Sequence, residues 1–249
     1  MTTSLPIKLN KEPLIDAVFE VRFTSQIPAS IILPGILYNI LEGEKKLDSL
    51  PISQLPKEVR DADPNLKYSP ISRIDWKSFF INISDNSLSI SSKHPYAGWK
   101  IFKPAIIEVI NILNSSNIVQ SLERCAVKYV DMLPISKEKQ IASMFNLNLD
   151  VAGHKLVQEA FQIRIEIPKN GFIHAVHIIS SAKATLHTGE SREGAIIDID
   201  SIHPERNVPM ELFLENFSDK LEELHTENKA KFFECLSTET LKSLEPTYE

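Results

Sequence analysis

Ala17-Val18-Phe19-Glu20-Val21-Arg22-Phe23 alternates strictly. Ala17, Phe19, Val21 and Phe23 share one side of a two-residue repeat. Val18, Glu20 and Arg22 share the other. The residues are β formers, so the stretch reads as a strand with one apolar and one partly charged face.

Working outward, residues 30–44 read as a helix with Ile32, Leu33, Ile36, Leu37 and Ile40 on its apolar side. Pro34 and Gly35 interrupt it, so the regular helix is expected to begin at Pro34, where a proline in the first turn costs nothing. Residues 46–68 are polar and proline-punctuated and read as a long loop. Strands are expected at 68–74, 76–84 and 87–92, the last two joined by an Asp85-Asn86 turn. An amphipathic helix follows at 101–114.

The order then recurs. Residues 122–133 alternate, with Cys125, Val127 and Tyr129 against Ala126, Lys128 and Val130. A short helix is expected at about 137–145. Residues 161–167 are the clearest alternating strand, and Lys169-Asn170-Gly171 is a strong turn. Strands at 172–186 and 195–202 follow. A long helix runs from 211 to 224 and on to about 235, and a short one covers 238–244. The reading is an α+β fold of two tandem strand–helix–three-strand–helix units, 1–118 and 119–249. Each forms antiparallel sheet packed against helices, and the two make one pseudo-duplicated globule.

Composition bounds the function. The chain has 249 residues, 43% hydrophobic and 24% charged, ordinary for a globular protein able to bury a core without staples. Its net charge of −6 disfavours broad electrostatic binding to nucleic acid. Cys125 and Cys235 have no motif spacing and read as small buried hydrophobes. The opening residues lack the apolar segment of a signal peptide, and the longest apolar run, 31–41, is too short to span a bilayer. The expected location is the cytoplasm, without membrane association.

Four segments resemble a sporadically distributed prokaryotic family of uncharacterised proteins of about this length. They are Pro13-Leu14-Ile15-Asp16-Ala17-Val18-Phe19-Glu20-Val21-Arg22-Phe23; Tyr96-Ala97-Gly98-Trp99-Lys100-Ile101-Phe102; Arg124-Cys125-Ala126-Val127-Lys128-Tyr129-Val130-Asp131; and the closing His225, Phe232 and Thr238-Glu239. Lys128 and Asp131 stand where the family has arginine and asparagine. The resemblance brings no activity or cofactor. The family's patchy occurrence implies a mobile role, such as a partner component of a defence or toxin–antitoxin system.

Motifs for chemistry are scarce. Seven glycines leave little for phosphate loops, and neither a Walker A segment, a dinucleotide fingerprint nor a nucleophile elbow is present. Thr188 to Gly194 reads as a hairpin connection. His174, His177 and His187, with Asp198, Asp200 and His203, invite a metal reading. His174 and His177 are an odd number apart, however, and point to opposite faces of a strand. No metal, cofactor or catalytic residue is assigned.

Glu20, Arg22, Arg124, Lys128, Arg164 and Glu166 are charges set within apolar strands. Cross-strand ion pairing explains them simply, and a charged groove is the functional reading. Tyr96 and Trp99 flank Gly98 ahead of a helix, where packing is the simpler account and an aromatic platform the other. The candidate ligand-binding residues are therefore Arg22, Arg124, Lys128, Arg164, Tyr96 and Trp99. The expected function is a non-enzymatic interaction protein whose partner is another protein, encoded nearby, with a homo-oligomer as a further option. The alternative is a small-ligand or nucleotide-binding sensor or enzyme with a charged groove between sheet and helices.

Overall fold

The computed structural model describes residues 5–64, 66–135 and 140–248. In chain order the elements are β1 (Lys8–Leu9), β2 (Leu14–Ser25), α1 (Ala29–Ile40), β3 (Lys45–Ser49), α2 (Lys57–Ala62), β4 (Ser72–Trp76), β5 (Phe79–Ile83), β6 (Ser87–Ser92) and α3 (Trp99–Ser115). They continue as β7 (Val119–Leu133), β8 (Asp150–Val151), β9 (His154–Lys155), β10 (Gln162–Lys169), β11 (Phe172–Thr185), β12 (Ser191–Val208), α4 (Met210–Glu215), α5 (Phe217–Cys235), α6 (Thr238–Ser243) and β13 (Pro246–Thr247). The fold is mixed, with a large antiparallel sheet and six helices among the described residues.

Nine strands form one sheet in the order β10-β11-β12-β7-β2-β6-β5-β4-β3. The register is plain from β2 to β3. Glu20 lies opposite Ser89, Ser89 opposite Asn82, Asn82 opposite Arg73, and Arg73 opposite Asp48. Because side chains alternate, that row puts polar groups on one face and leaves Phe19, Ile90, Ile81 and Ile74 on the other. α1 and α3 lie against β4, β5 and β6, and those four apolar side chains are at most 1% exposed. Burying each contributes about 1.5–3 kcal/mol.

Two compact units share the chain. One gathers the residues through Asp16, Lys128–Ser201 and His225 onward; the other holds Ala17–Val127 and Ile202–Leu224. The second has the core just described, with Phe23, Leu33, Leu37, Trp76 and Phe102 at 0% exposure. The first has its own core, including Leu133, Phe145, Val176, Ile197, Ile199 and Phe232.

Several expectations needed correction. The first helix begins at Ala29, and Pro34 lies buried inside it. Packing of Leu33, Pro34 and Leu37 outweighs the lost backbone hydrogen bond. Residues 46–68 are not a continuous loop. β3 pairs with β4 along the sheet edge, where backbone bonding demands no apolar pattern, and α2 follows. The strand expected at 68–74 starts only at Ser72. The next is cut at Lys77, whose positive φ of 50° turns the chain between β4 and β5. The turn at 169–171 forms as expected, with Asn170 at φ 53° and Gly171 at 82°. The strand expected at 195–202 runs from Ser191 to Val208. Asn216 divides the long C-terminal helix into α4 and α5. Of the short helix at about 137–145, residues 136–139 lie outside the described residues; Ile141–Met144 form a single 3-10 turn. No described helix is long and apolar enough to cross a membrane.

Candidate functional sites

The polar face of β2 centres on Glu20. Its Oε1 accepts from Arg22 Nε and from Arg124 Nη2, each at 2.7 Å. The Arg22 guanidinium lies over the Tyr68 ring, 3.9 Å from its centre, and the Tyr68 hydroxyl donates to Glu123 at 3.0 Å. Arg73 extends the array, donating to Asn82 at 2.8 Å and lying 4.8 Å from the Phe80 ring centre. The Glu20, Arg22 and Arg124 side chains are 21–26% exposed. They are fixed in place yet open to solvent.

The other candidates do not join this cluster. Lys128 pairs with Asp198 at 2.8 Å. Arg164 sits on the outermost strand β10 and pairs with Glu166, two places along the same face, at 3.0 Å. Tyr96 and Trp99 both meet the buried Phe102 edge-on, at 6.0 and 6.3 Å between ring centres. The Trp99 indole N–H reaches Glu222, which also binds Lys103 at 2.7 Å. These two aromatics pack the start of α3.

A second cluster went unseen in the sequence. Cys125 on β7, His203 and Glu205 on β12, and Lys220 on α5 converge. Glu205 Oε1 receives Lys220 Nζ at 2.7 Å, lies 2.9 Å from His203 Nδ1, and accepts the Cys125 thiol at 3.7 Å. One donor atom each from Cys125, His203 and Glu205 lies within 4.8 Å of the others, the only such group of three or more among the described residues. Burial, reinforced by Glu205, pushes the Cys125 thiol up, so it stays protonated. Burial acts upward on Glu205 as well, but the bonds from His203 and Lys220 outweigh it and hold the carboxyl below its usual range. The His-x-Glu spacing placed two groups on one face of a strand; nothing local announced a cysteine 80 residues from Glu205.

A third cluster surrounds His174. Its Nδ1 lies 2.9 Å from Ser201 Oγ, and its Nε2 lies 4.0 Å from Glu227 Oε2. Glu227 also binds Lys169 at 3.0 Å. The residue types are those of a hydrolytic triad, yet His174 and Ser201 are both 0% exposed, so a substrate carbonyl has no approach. His177 faces the other way and bonds Gln162 at 2.6 Å, as the odd spacing required. Burial and the Lys231 charge lower the His174 pKa, with Glu227 pulling the opposite way.

A cavity of about 580 Å³ opens beside the end of β7. Met132, Leu133, Met144 and Leu244 supply its apolar wall, and Lys11, Glu12 and Arg192 its charged one. On the same strand Asp131 is 6% exposed. Burial, with the like charges of Glu12 and Asp198, raises its carboxyl well above the usual range.

No protein-family model matches the chain, and no curated protein matches it.

Proposed function

We propose that this chain is a non-enzymatic binding module whose sheet face around Glu20, Arg22 and Arg124 docks another protein through an acidic segment. The observation that carries the reading is the sharing of one carboxylate by two guanidiniums, one of them stacked on Tyr68. The guanidiniums of Arg22, Arg124 and Arg73 line one polar face, with the carboxylates of Glu20 and Glu123 set among them. Guanidiniums already held by Glu20 and Tyr68 lose little freedom on docking. Arginine and tyrosine are also the side chains that dominate interface energetics. The groups a nucleophilic mechanism would use, Cys125, His174 and Ser201, are 0% exposed, which favours binding over catalysis.

The test is capture with the tagged full-length chain from extract of its native cells. A stoichiometric partner is expected with the native chain and not with the Arg22→Ser/Arg124→Ser double variant. Equal capture by both would move the interface elsewhere. Repeated failure to capture, with a monomer in sizing experiments, would reject the reading. The defence or toxin–antitoxin setting rests on the family resemblance alone, and the identity of adjacent genes tests it. An internal duplication is proposed as the origin of the fold. The strand order 10-11-12-7 followed by 2-6-5-4 supports it, because each half ends its three-strand run beside its own first strand.

A second reading, a small-ligand sensor, is favoured by the cavity at Met132, Leu133 and Glu12. Native mass spectrometry of the purified chain tests it: a retained small molecule promotes it, and a bare chain mass removes its support.

A further inference from the structure

We propose that Cys125, His203 and Glu205 form a binding site for Zn²⁺, which Lys220 closes when no metal is bound. The residues offer one sulfur, one imidazole nitrogen and one carboxylate oxygen from neighbouring strands. That donor set suits a borderline-soft ion, whereas Mg²⁺ and Ca²⁺ favour oxygen alone. Zinc–ligand bonds of about 2.0–2.3 Å in a tetrahedron put neighbouring donors about 3.3–3.7 Å apart. The thiol sulfur and Glu205 Oε1 are 3.7 Å apart, at that spacing already. His203 Nδ1 and Glu205 Oε1, at 2.9 Å, need to open by only a few tenths of an ångström.

Charge supports the exchange. With Lys220 in place, its ammonium and the Glu205 carboxylate balance one another. When Zn²⁺ enters, the thiol proton leaves to solvent, the imidazole proton shifts to the ring nitrogen away from the ion, and the ammonium swings out. Thiolate, carboxylate and dication again sum to zero. Neither state buries an uncompensated charge, the costly outcome in a site as enclosed as this. Lys220 has an outward path, since its side chain is 20% exposed. Its departure leaves the fourth tetrahedral position to water or an external ligand. Because this site shares no residue with the Glu20 face, its failure and the failure of the docking reading are separable.

The test uses the full-length chain, stripped with a chelator and titrated with Zn²⁺ against a chromophoric competitor, with Co²⁺ as a spectroscopic stand-in. One equivalent is expected, with a sulfur-to-cobalt charge-transfer band. Cys125→Ser and His203→Ala should weaken uptake by about tenfold or more, and Cys235→Ser should leave it unchanged. Lys220→Met, which removes the competing ammonium, should bind more tightly than the native chain. Absence of uptake, absence of the charge-transfer band in the native chain, or uptake indifferent to His203→Ala would overturn the proposal. So would a Lys220→Met chain that binds no more tightly. The native cobalt spectrum and His203→Ala, at a half-buried position, decide the matter even if Cys125→Ser does not fold.

Discussion

Arg124 reaches Glu20 across 104 residues of sequence, its Nη2 donating to Oε1 at 2.7 Å. The same oxygen accepts from Arg22. A carboxylate on β2 therefore pairs with a cation from its own strand and one from β7. Glu20→Gln removes the charge that both guanidiniums share. The side chains are about a fifth exposed, so water screens part of the loss, and the expected destabilisation is about 1–2 kcal/mol. Urea denaturation of the native chain and the variant measures it. An unchanged midpoint would show that the two arginines find equal hydration without Glu20.

The Asp131 side chain is buried on β7, at 6% exposure. Its folded pKa is raised by burial, then by Glu12 and Asp198. The unfolded chain therefore gives up this proton first as pH rises, and stability falls through the window above the ordinary carboxyl value. Asp131→Asn keeps the shape and removes the titration. The variant should melt several degrees higher at neutral pH, and the gain should shrink toward zero near pH 4. Thermal denaturation at both pH values checks this.

His174 carries the opposite sign. Its pKa is lowered in the fold, chiefly by burial. Below about pH 6.5 the unfolded chain binds a proton that the folded chain refuses. Stability contributed by the neutral imidazole is therefore complete above that value and is lost as pH falls toward the folded pKa. His174→Gln should flatten this part of the stability–pH curve. An equally steep curve in the variant would assign the slope to other groups.

Gly194 lies on β12 where backbone and side chain come too close for a Cβ. An added methyl would collide with the Leu133 carbonyl oxygen and lie 2.8 Å from Met132 Cγ. Gly194→Ala should destabilise the chain by about 1–3 kcal/mol. Gly189→Ala acts differently: nothing lies within 4 Å of its added Cβ, but its φ of +85° strains any side chain. Comparing the two in urea separates collision from backbone strain.

Much of the architecture was legible from local pattern. The alternation of residues 17–23 placed Ala17, Phe19, Val21 and Phe23 in the core, and all four are at most 1% exposed. The apolar alternation at 161–167 gave the strand but did not speak to its depth. β10 is the outermost strand, and Ile165 is 49% exposed. Alternation reports that a strand has an apolar face, not how thoroughly neighbours cover it. β3 escaped notice for the complementary reason: an edge strand held by backbone hydrogen bonds has no need of apolar side chains.

Of the six candidate ligand-binding residues, Arg22 and Arg124 meet, while Lys128, Arg164, Tyr96 and Trp99 satisfy other partners. Periodicity and turn chemistry are written into neighbouring residues, so element types could be read directly. Which charge finds which counter-charge depends on strand order, and strand order has no local signature. The pairing of Arg124 with Glu20, the convergence of Cys125 with His203 and Glu205, and the burial of Asp131 all arise once β7 is placed between β12 and β2. That placement turns two charged strands and an isolated cysteine into a held arginine pair and a three-donor site.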